Sequence, residues 1–139
     1  MEKKKILVVD DDVDIVRILS INLRFEGFEV ISAFDGATAV MQAHRHRPDL
    51  MLLDIMMPAG NGISVVERLR NSSRTDQIPI AFISALPREE LRAKAEEAGI
   101  HHFFCKPFDI SAIIWYLKKD LFPDESHLYP DEIHTRIAG

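Results

Sequence analysis

The sequence predicts an α/β fold in which five parallel strands form one doubly wound sheet with five helices packed on its faces. Short apolar runs alternate with helical stretches along most of the chain, and strict alternation of this kind implies parallel strands joined by right-handed crossovers. Several runs are nearly unbroken Val, Ile, Leu and Phe, which is typical of strands covered on both faces. The chain has 139 residues, of which 47% are hydrophobic, and this suffices for one domain with a proper core.

The five predicted strands are the short apolar runs themselves. They comprise residues 6–9, 28–33, 50–53, 78–83 and 103–105. Five such strands suit the order 2-1-3-4-5, which we expect partly by analogy with flavodoxin-like proteins. In such a sheet, ligands bind beyond the carboxyl ends of the strands where the winding direction reverses, here between the first and third strands.

The five predicted helices follow the strands and show apolar residues at helical spacing. The first spans residues 13–26, with Ile15, Leu19 and Leu23 on one side and Gly27 as a stop signal. The inner positions expected for the second to fifth helices are, in order, Ala37, Val40, Met41 and His44; Ile63, Val66 and Leu69; Leu91, Ala95 and Ala98; and Ile110, Ile113, Ile114, Leu117 and Leu121.

The polar residues of interest all fall at the carboxyl ends of predicted strands. The first strand is followed by aspartates at residues 10–12, the third by Asp54, the fourth by Ser84 and the fifth by Lys106. In the expected fold these side chains converge on one crevice. Carboxylates packed together repel one another, and a hard cation such as Mg²⁺ relieves the repulsion while keeping waters for an incoming phosphate. Together with a lysine and a hydroxyl, this equips a site for an aspartyl phosphate.

The strand ends carry a resemblance to a known family. The segments concerned are Ile6-Leu7-Val8-Val9-Asp10-Asp11, Leu52-Leu53-Asp54-Ile55-Met56-Met57-Pro58, Ile83-Ser84-Ala85 and Lys106-Pro107-Phe108. In this order they resemble the response-regulator receiver domain of two-component signalling, of the chemotaxis type that consists of a single receiver. The resemblance implies a Mg²⁺-dependent switch that accepts a phosphoryl group on Asp54 from a histidine kinase or a phosphotransfer protein and then controls a downstream protein target.

The resemblance also implies a ligand set for the metal. Asp11 and Asp54 are expected to bind Mg²⁺ directly, and Asp10 is expected to act largely through water. The backbone carbonyl of Met56 is the remaining ligand that the resemblance implies.

Three further roles follow from the same resemblance. Lys106 is expected to pair with one phosphoryl oxygen and Ser84 to hydrogen-bond another. The switch is expected to run from Ser84 to Phe103, whose ring moves with the serine and reshapes the face formed by the fourth helix, fifth strand and fifth helix. Family members commonly carry Tyr at this position. Because Phe103 lacks the hydroxyl, we expect its coupling to depend more on packing.

One departure bears on kinetics. The second residue after Asp54 and the second after Ser84 flank the route of the hydrolytic water in this family. Here they are Met56 and Leu86, both bulky and apolar. Neither can orient a water molecule, so we predict slow self-dephosphorylation. The resemblance implies that the protein catalyses only its own phosphorylation and this slow dephosphorylation and is not otherwise an enzyme.

Two functions of other classes compete with this interpretation. A phosphatase-like enzyme that uses Asp54 as its nucleophile commonly has a second acid two residues later, where this chain has Met56. A flavodoxin-like cofactor protein needs a Gly-rich or hydroxyl-rich loop after the first strand, and this loop is acidic. The simplest alternatives are structural: residues 10–12 could only cap the first helix, and Lys106 could be a solvated surface lysine.

Composition narrows the setting. A net charge of −5 argues against direct nucleic-acid binding, which needs a basic patch. No apolar run has the length of a bilayer span or of a signal peptide, so we expect no membrane insertion. The single cysteine, Cys105, cannot form an internal disulfide and favours a cytoplasmic location; its strand position indicates a core residue. The six histidines form no convincing metal set.

The output is the least determined part of the prediction. We expect a receiver domain over residues 1–121 and a tail or linker start over residues 122–139, where helical periodicity lapses. The native-looking start and long tail favour a stand-alone protein over a receiver fragment of a larger regulator. A phosphorylation-dependent homodimer is a further alternative, with Ile114, Trp115 and Tyr116 as the residues to test.

Overall fold

The computed structural model describes residues 3–57 and 61–123, and in this part of the chain strands and helices alternate strictly. The strands are β1 (Lys5–Val9), β2 (Glu29–Ala33), β3 (Leu50–Asp54), β4 (Ile80–Ser84) and β5 (His102–Cys105). The helices are α1 (Val13–Phe25), α2 (Gly36–His46), α3 (Gly62–Arg70), α4 (Arg88–Ala98) and α5 (Ile110–Leu121). The predicted alternation is confirmed, whereas the tail expected over residues 122–139 lies, beyond residue 123, outside the described residues.

The five strands form one parallel sheet in the order β2-β1-β3-β4-β5, which confirms the predicted topology. Its register aligns the carboxyl ends of neighbouring strands. Val9 pairs with Leu53 across β1 and β3, and Asp54 pairs with Ile83 across β3 and β4. Residues that end or follow these strands therefore lie side by side at one edge of the sheet, which is called the carboxyl edge below.

The sheet is covered on both faces. On one face, alternate strand residues such as Leu7, Met51 and Phe82 pack with buried side chains of α2, α3 and α4 in one apolar cluster. Helix α1 packs on β1 and β2, and its buried side chains lie outside that cluster, which places α1 on the opposite face. Every residue of β3 and β4 is buried, and this explains why their sequences are nearly continuous apolar runs.

Four of the described helices, α1, α2, α3 and α5, begin at side-chain caps. The Asp12 carboxylate accepts from the backbone N–H groups of Asp14 and Ile15, and Asp35 and Asn61 cap α2 and α3 in the same manner. The alternative that the aspartates of residues 10–12 only cap the first helix is therefore correct for Asp12. It does not account for Asp10, which is fully buried.

Two local predictions are corrected by the structure. Strand four begins at Ile80, not at residue 78, because Ile78 closes a turn on the Thr75 carbonyl and Pro79 has no N–H for the sheet. The side predicted to face inward in α2 is only partly right: Val40 is buried, whereas Met41 is 55% exposed and Ala39 and Ala43 are buried in its place. Helix α2 packs closely on β1, β2 and α3, and small side chains fit that packing. The larger apolar side chain of Met41 led the sequence pattern to indicate the wrong side of the helix for this residue.

The described residues divide into two compact units, one that ends at Lys106 and one that begins at Pro107. The first unit contains the whole sheet with α1 to α4, and the second contains α5. Within α5, Trp115 and Tyr116 are buried, so these two candidates for a homodimer contact are not open surface. Across the described residues, no helix combines the length and the hydropathy needed to cross a bilayer.

Candidate functional site

Four polar residues meet at the carboxyl edge of the sheet. Asp10 follows β1, Asp54 and Ser84 end β3 and β4, and Lys106 follows β5. Asp10 and Ser84 are fully buried and Asp54 is only 2% exposed. Buried charges are rare unless they are paired. The predicted convergence of these residues on one crevice is thus what the sheet register produces.

The Lys106 ammonium group lies between two buried carboxylates. Its Nζ is 2.6 Å from Asp10 Oδ2 and 3.1 Å from Asp54 Oδ2. The second oxygen of each carboxylate accepts a backbone N–H two residues further along the chain: Asp12 N–H donates to Asp10 Oδ1 at 2.9 Å, and Met56 N–H donates to Asp54 Oδ1 at 3.0 Å. Lys106 is therefore part of the crevice, and the surface-lysine alternative is excluded.

The balance of charge in the crevice shifts two pKa values. Burial is the largest influence on Asp54 and, with the nearby charge of Asp10, raises its pKa from 3.8 to about 6. The Met56 hydrogen bond and the Lys106 charge act in the opposite direction and are outweighed. Burial lowers the pKa of Lys106, but its hydrogen bonds and ion pairs with Asp10 and Asp54 outweigh burial and raise that pKa above 10.5. An ionised Asp54 is thus costly, and a protonated Lys106 is favoured.

Three carboxylates at this edge form a set that could hold a metal ion. Asp10, Asp11 and Asp54 each offer an oxygen, and these oxygens all lie within 4.8 Å of one another. The set contains two buried carboxylates and one exposed carboxylate, against the single cation of Lys106. An excess of carboxylate oxygens near one surface opening fits a hard divalent cation. Within residues 3–57 and 61–123, no other cluster of His, Cys, Asp and Glu has this geometry.

Ser84 and Phe103 lie on neighbouring strands. Ser84 Oγ accepts the Leu86 N–H at 3.2 Å, and the Ser84 carbonyl accepts the Lys106 N–H at 2.7 Å. Phe103 pairs with Phe82 in the register, two positions before the pair formed by Ser84 and Cys105. The Phe103 ring is half-buried, and the Arg88 guanidinium lies 5.5 Å from its centroid. Sequence reasoning did not identify this contact with Arg88.

Gly62 is a second feature that sequence reasoning missed. It is the first residue of α3, it is buried, and its N–H donates to the Ile55 carbonyl at 2.8 Å. A Cβ atom at this position would lie 2.7 Å from the Asp54 carbonyl oxygen. The sequence signal was a glycine directly before Ile63, the first inner residue predicted for the third helix, where its usual role as a helix terminator does not apply.

The remaining candidates occupy the periphery of the site. Met56 follows β3 with its side chain 54% exposed, and Leu86 is half-buried beyond β4. Cys105 is a half-buried free thiol in β5, and it packs against the apolar cluster as expected for a core residue.

Comparison with known proteins assigns the family. Residues 6–118 match the model of the response regulator receiver domain. The transcriptional regulatory protein PrrA of Mycobacterium tuberculosis is 40% identical over 114 residues, which are 82% of this chain and 48% of PrrA. The alkaline phosphatase synthesis transcriptional regulatory protein PhoP of Bacillus subtilis is 40% identical over an alignment of 140 positions, which covers 97% of this chain and 58% of PhoP. The chain thus spans about half the length of these relatives.

The fold comparison agrees. The structure of the chemotaxis protein CheY4 of Vibrio cholerae matches with a TM-score of 0.78 and 28% identity, over 85% of this chain and 98% of CheY4. The strand order, the acidic crevice and the match to the family model over most of the chain all agree with one family assignment. This chain belongs to the response regulator receiver domain family of two-component signalling.

Proposed function

We propose that this receiver is a phospho-switch that accepts a phosphoryl group on Asp54 from a histidine kinase or a phosphotransfer protein. The observation that carries the proposal is the position of Lys106, whose Nζ lies within 3.1 Å of both Asp10 and Asp54 while Asp11 completes a carboxylate set beside it. A nucleophile, a candidate metal site and a fixed cation thereby share one crevice. Each has a task in moving a phosphoryl group to a carboxylate.

In the transfer, a carboxylate oxygen of Asp54 attacks the phosphorus of the donor's phosphohistidine. An O–P bond forms on Asp54 and the N–P bond breaks, with its electron pair returning to the imidazole of the donor. Lys106, already fixed between two carboxylates, neutralises an oxygen of the transferred group. Mg²⁺, which we assign to Asp10, Asp11, Asp54 and the Met56 carbonyl, supplies charge neutralisation at the phosphoryl oxygens when bound.

Ser84 and Phe103 then report the phosphoryl group to the surface. The Ser84 hydroxyl accepts a backbone N–H, so its own proton remains to be donated to a phosphoryl oxygen. Movement of Ser84 alters the packing around Phe103, and α4 and β5 carry the change to a protein partner. A Phe103→Ala variant whose affinity for its partner still responds normally to phosphorylation would contradict this assignment.

We assign docking of the phosphodonor to an exposed apolar stripe on α1. Ile18, Ile21 and Phe25 are 48%, 60% and 90% exposed, and their spacing places them on one side of the helix. The helix begins directly after the acidic residues of the crevice, so a protein seated on the stripe can reach Asp54. An Ile21→Asp variant should react with a small phosphodonor as the wild type does but receive phosphate from its kinase at least about tenfold more slowly. Equal rates with the kinase would place the docking surface elsewhere.

A long lifetime is expected for phospho-Asp54. The exposed Met56 and half-buried Leu86 side chains carry no group that can orient a hydrolytic water, and Met56 offers no proton for a phosphatase-like turnover. Replacement of Met56 by Asn introduces such a group and should shorten the lifetime of purified phosphoprotein. Rapid decay in the wild type would refute the assignment.

The wider setting follows from the family match. We propose residues 1–121 as the receiver domain, since the match covers residues 6–118, and residues 122–139 as a tail or linker start. We place the protein in the cytoplasm, where a free thiol such as Cys105 stays reduced. We propose that the receiver acts on a protein partner, and a receiver within a larger regulator, as in the longer PrrA, is the alternative.

The deciding experiment is intact mass spectrometry after incubation with Mg²⁺ and acetyl phosphate. The wild type should gain the mass of one phosphoryl group. The gain should disappear in Asp54→Ala and after chelation of the metal with EDTA. No gain, under conditions where a known receiver reacts, would reduce this chain to a phosphate-independent interaction module.

A further inference from the structure

The contact between Gly62 and the end of β3 is closer than any side chain allows. A Cβ atom at Gly62 would lie 2.7 Å from the Asp54 carbonyl oxygen and 2.9 Å from the Ile55 Cα, and real Cβ atoms essentially never approach heavy atoms within 3.0 Å. Both neighbours are backbone atoms, so neither can rotate away as the end of a flexible side chain can. Any residue with a Cβ at Gly62 must therefore displace either the start of α3 or the peptide of Asp54.

The peptide of Asp54 is held from two sides. On one side, Asp54 pairs with Ile83 in the sheet. On the other side, the Gly62 N–H donates to the Ile55 carbonyl at 2.8 Å, which attaches the start of α3 directly to the end of β3. Asp54 uses the Met56 N–H and the Lys106 ammonium to orient its two carboxylate oxygens. A shift of the peptide would move both oxygens relative to Asp10 and Lys106.

We propose that Gly62 is a positioning residue for Asp54: its missing side chain lets α3 close on the β3 backbone, and this contact sets where the Asp54 carboxylate stands in the crevice. The inference rests on the proposed function of Asp54, because the positions of nucleophiles and metal ligands must be held to within about 0.5 Å. Misplacement by about 1 Å can cost a hundredfold in rate.

Two other described glycines, Gly27 and Gly99, contrast with Gly62. Gly27 and Gly99 have φ angles of +95° and +73°, which other residues adopt only with strain, and no atom lies within 4 Å of an added Cβ. Gly62 has no such φ and occupies a helical position where alanine is intrinsically preferred. Gly27 and Gly99 are required by local backbone conformation, whereas Gly62 is required by its neighbour.

The test compares Gly62→Ala with Gly99→Ala. Gly99→Ala is a matched control, because it strains the end of α4 and places nothing against Asp54. For each variant we would measure the melting temperature, the Mg²⁺ affinity and the rate of phosphorylation by acetyl phosphate, at a temperature where the variant is fully folded. Gly62→Ala should weaken Mg²⁺ binding and slow phosphorylation by at least about tenfold. Gly99→Ala should lower the melting temperature and leave both site properties within about twofold.

A Gly62→Ala variant that melts lower but keeps wild-type Mg²⁺ affinity and phosphorylation would overturn the proposal. If Gly62→Ala does not fold, a measurement on the wild type tests the proposal instead. The NMR signal of the Gly62 amide, which donates to Ile55, should shift during a Mg²⁺ titration with the midpoint of the site, and the Gly99 amide should not. An unmoved Gly62 amide would overturn the proposal equally.

Failure of the proposed function gives a different pattern of results. A wild type that binds Mg²⁺ but takes no phosphate contradicts the phospho-switch, and Gly62 is then judged on Mg²⁺ affinity alone. A wild type that does neither overturns both.

Discussion

The two edges of the parallel sheet satisfy their polar groups in different ways. At the amino edge, the Asp49 carboxylate accepts the Lys5 N–H at 2.8 Å, and the Arg70 guanidinium donates to the carbonyls of Asp76 and Ile78 at 2.9 Å each. These side chains bond to backbone N–H and C=O groups that the hydrogen bonds of the strands and turns do not use. At the carboxyl edge, carboxylates face one another and a single lysine.

The difference indicates that the amino edge has a structural role, whereas the carboxyl edge carries groups that could bind a ligand. At the amino edge, Asp49 bonds to the backbone at the start of β1, and Arg70 bonds to the backbone of the loop before β4, so that these segments are held in place. At the carboxyl edge, Lys106 is shared between Asp10 and Asp54, and the pKa of Asp54 remains raised to about 6. The unbalanced negative charge costs stability in the free protein, and a cation or a switch can exploit it.

The largest expected effect comes from removing the cation at the carboxyl edge. Lys106→Met keeps the apolar stem but leaves Asp10 and Asp54 buried without their shared partner. Loss of one member of a buried ion pair costs about 3 to 5 kcal/mol, and we expect a decrease of that order in the free energy of unfolding. Urea denaturation in EDTA measures it. Added Mg²⁺ should restore more stability to this variant than to the wild type, and a loss below about 1 kcal/mol would show that the pair is not structurally coupled.

Neutralising Asp54 should change the free energy of unfolding in the opposite direction. Between about pH 4 and pH 6 the folded protein retains a proton on Asp54 that the unfolded chain has released, because the pKa is raised from 3.8 to about 6 in the fold. The free energy of unfolding therefore falls as the pH rises through that window, and above it the penalty is constant and amounts to at most about 3 kcal/mol. Asp54→Asn carries no such penalty.

In metal-free buffer at pH 7, Asp54→Asn should accordingly be more stable than the wild type by up to about 3 kcal/mol. The gain should shrink to nearly nothing below about pH 4. Denaturation at a series of pH values checks both points. A variant that is less stable than the wild type at pH 7 would mean that ionised Asp54 is already well compensated in the crevice.

The smallest expected effect is at the amino edge. Arg70→Met removes two hydrogen bonds to backbone carbonyls, and it should lower the free energy of unfolding by about 1 to 2 kcal/mol. Because Arg70 is remote from the crevice, Mg²⁺ affinity and phosphorylation of the folded variant should equal those of the wild type. A change in either the Mg²⁺ affinity or the phosphorylation would show that the two edges are coupled through the sheet, whereas we expect them to be independent.

The sequence alone was sufficient to predict the order of the elements. Alternating apolar runs and helical stripes are local patterns, and Gly27 ends α1 as a local conformational signal. Strand order 2-1-3-4-5 then brings the residues after β1, β3, β4 and β5 to one edge without knowledge of any distance. For this reason Asp10, Asp54, Ser84 and Lys106 could be selected before the structure was known.

Only the tertiary structure decided how these residues interact. The sharing of Lys106 between Asp10 and Asp54, and the raised pKa of Asp54, depend on burial and on distances between residues far apart in the chain. The close approach of Gly62 to Asp54 and the exposure of Met41 on α2 depend on how tightly helices pack on the sheet and on one another. Periodicity specifies which elements form, but packing distances arise only when those elements meet.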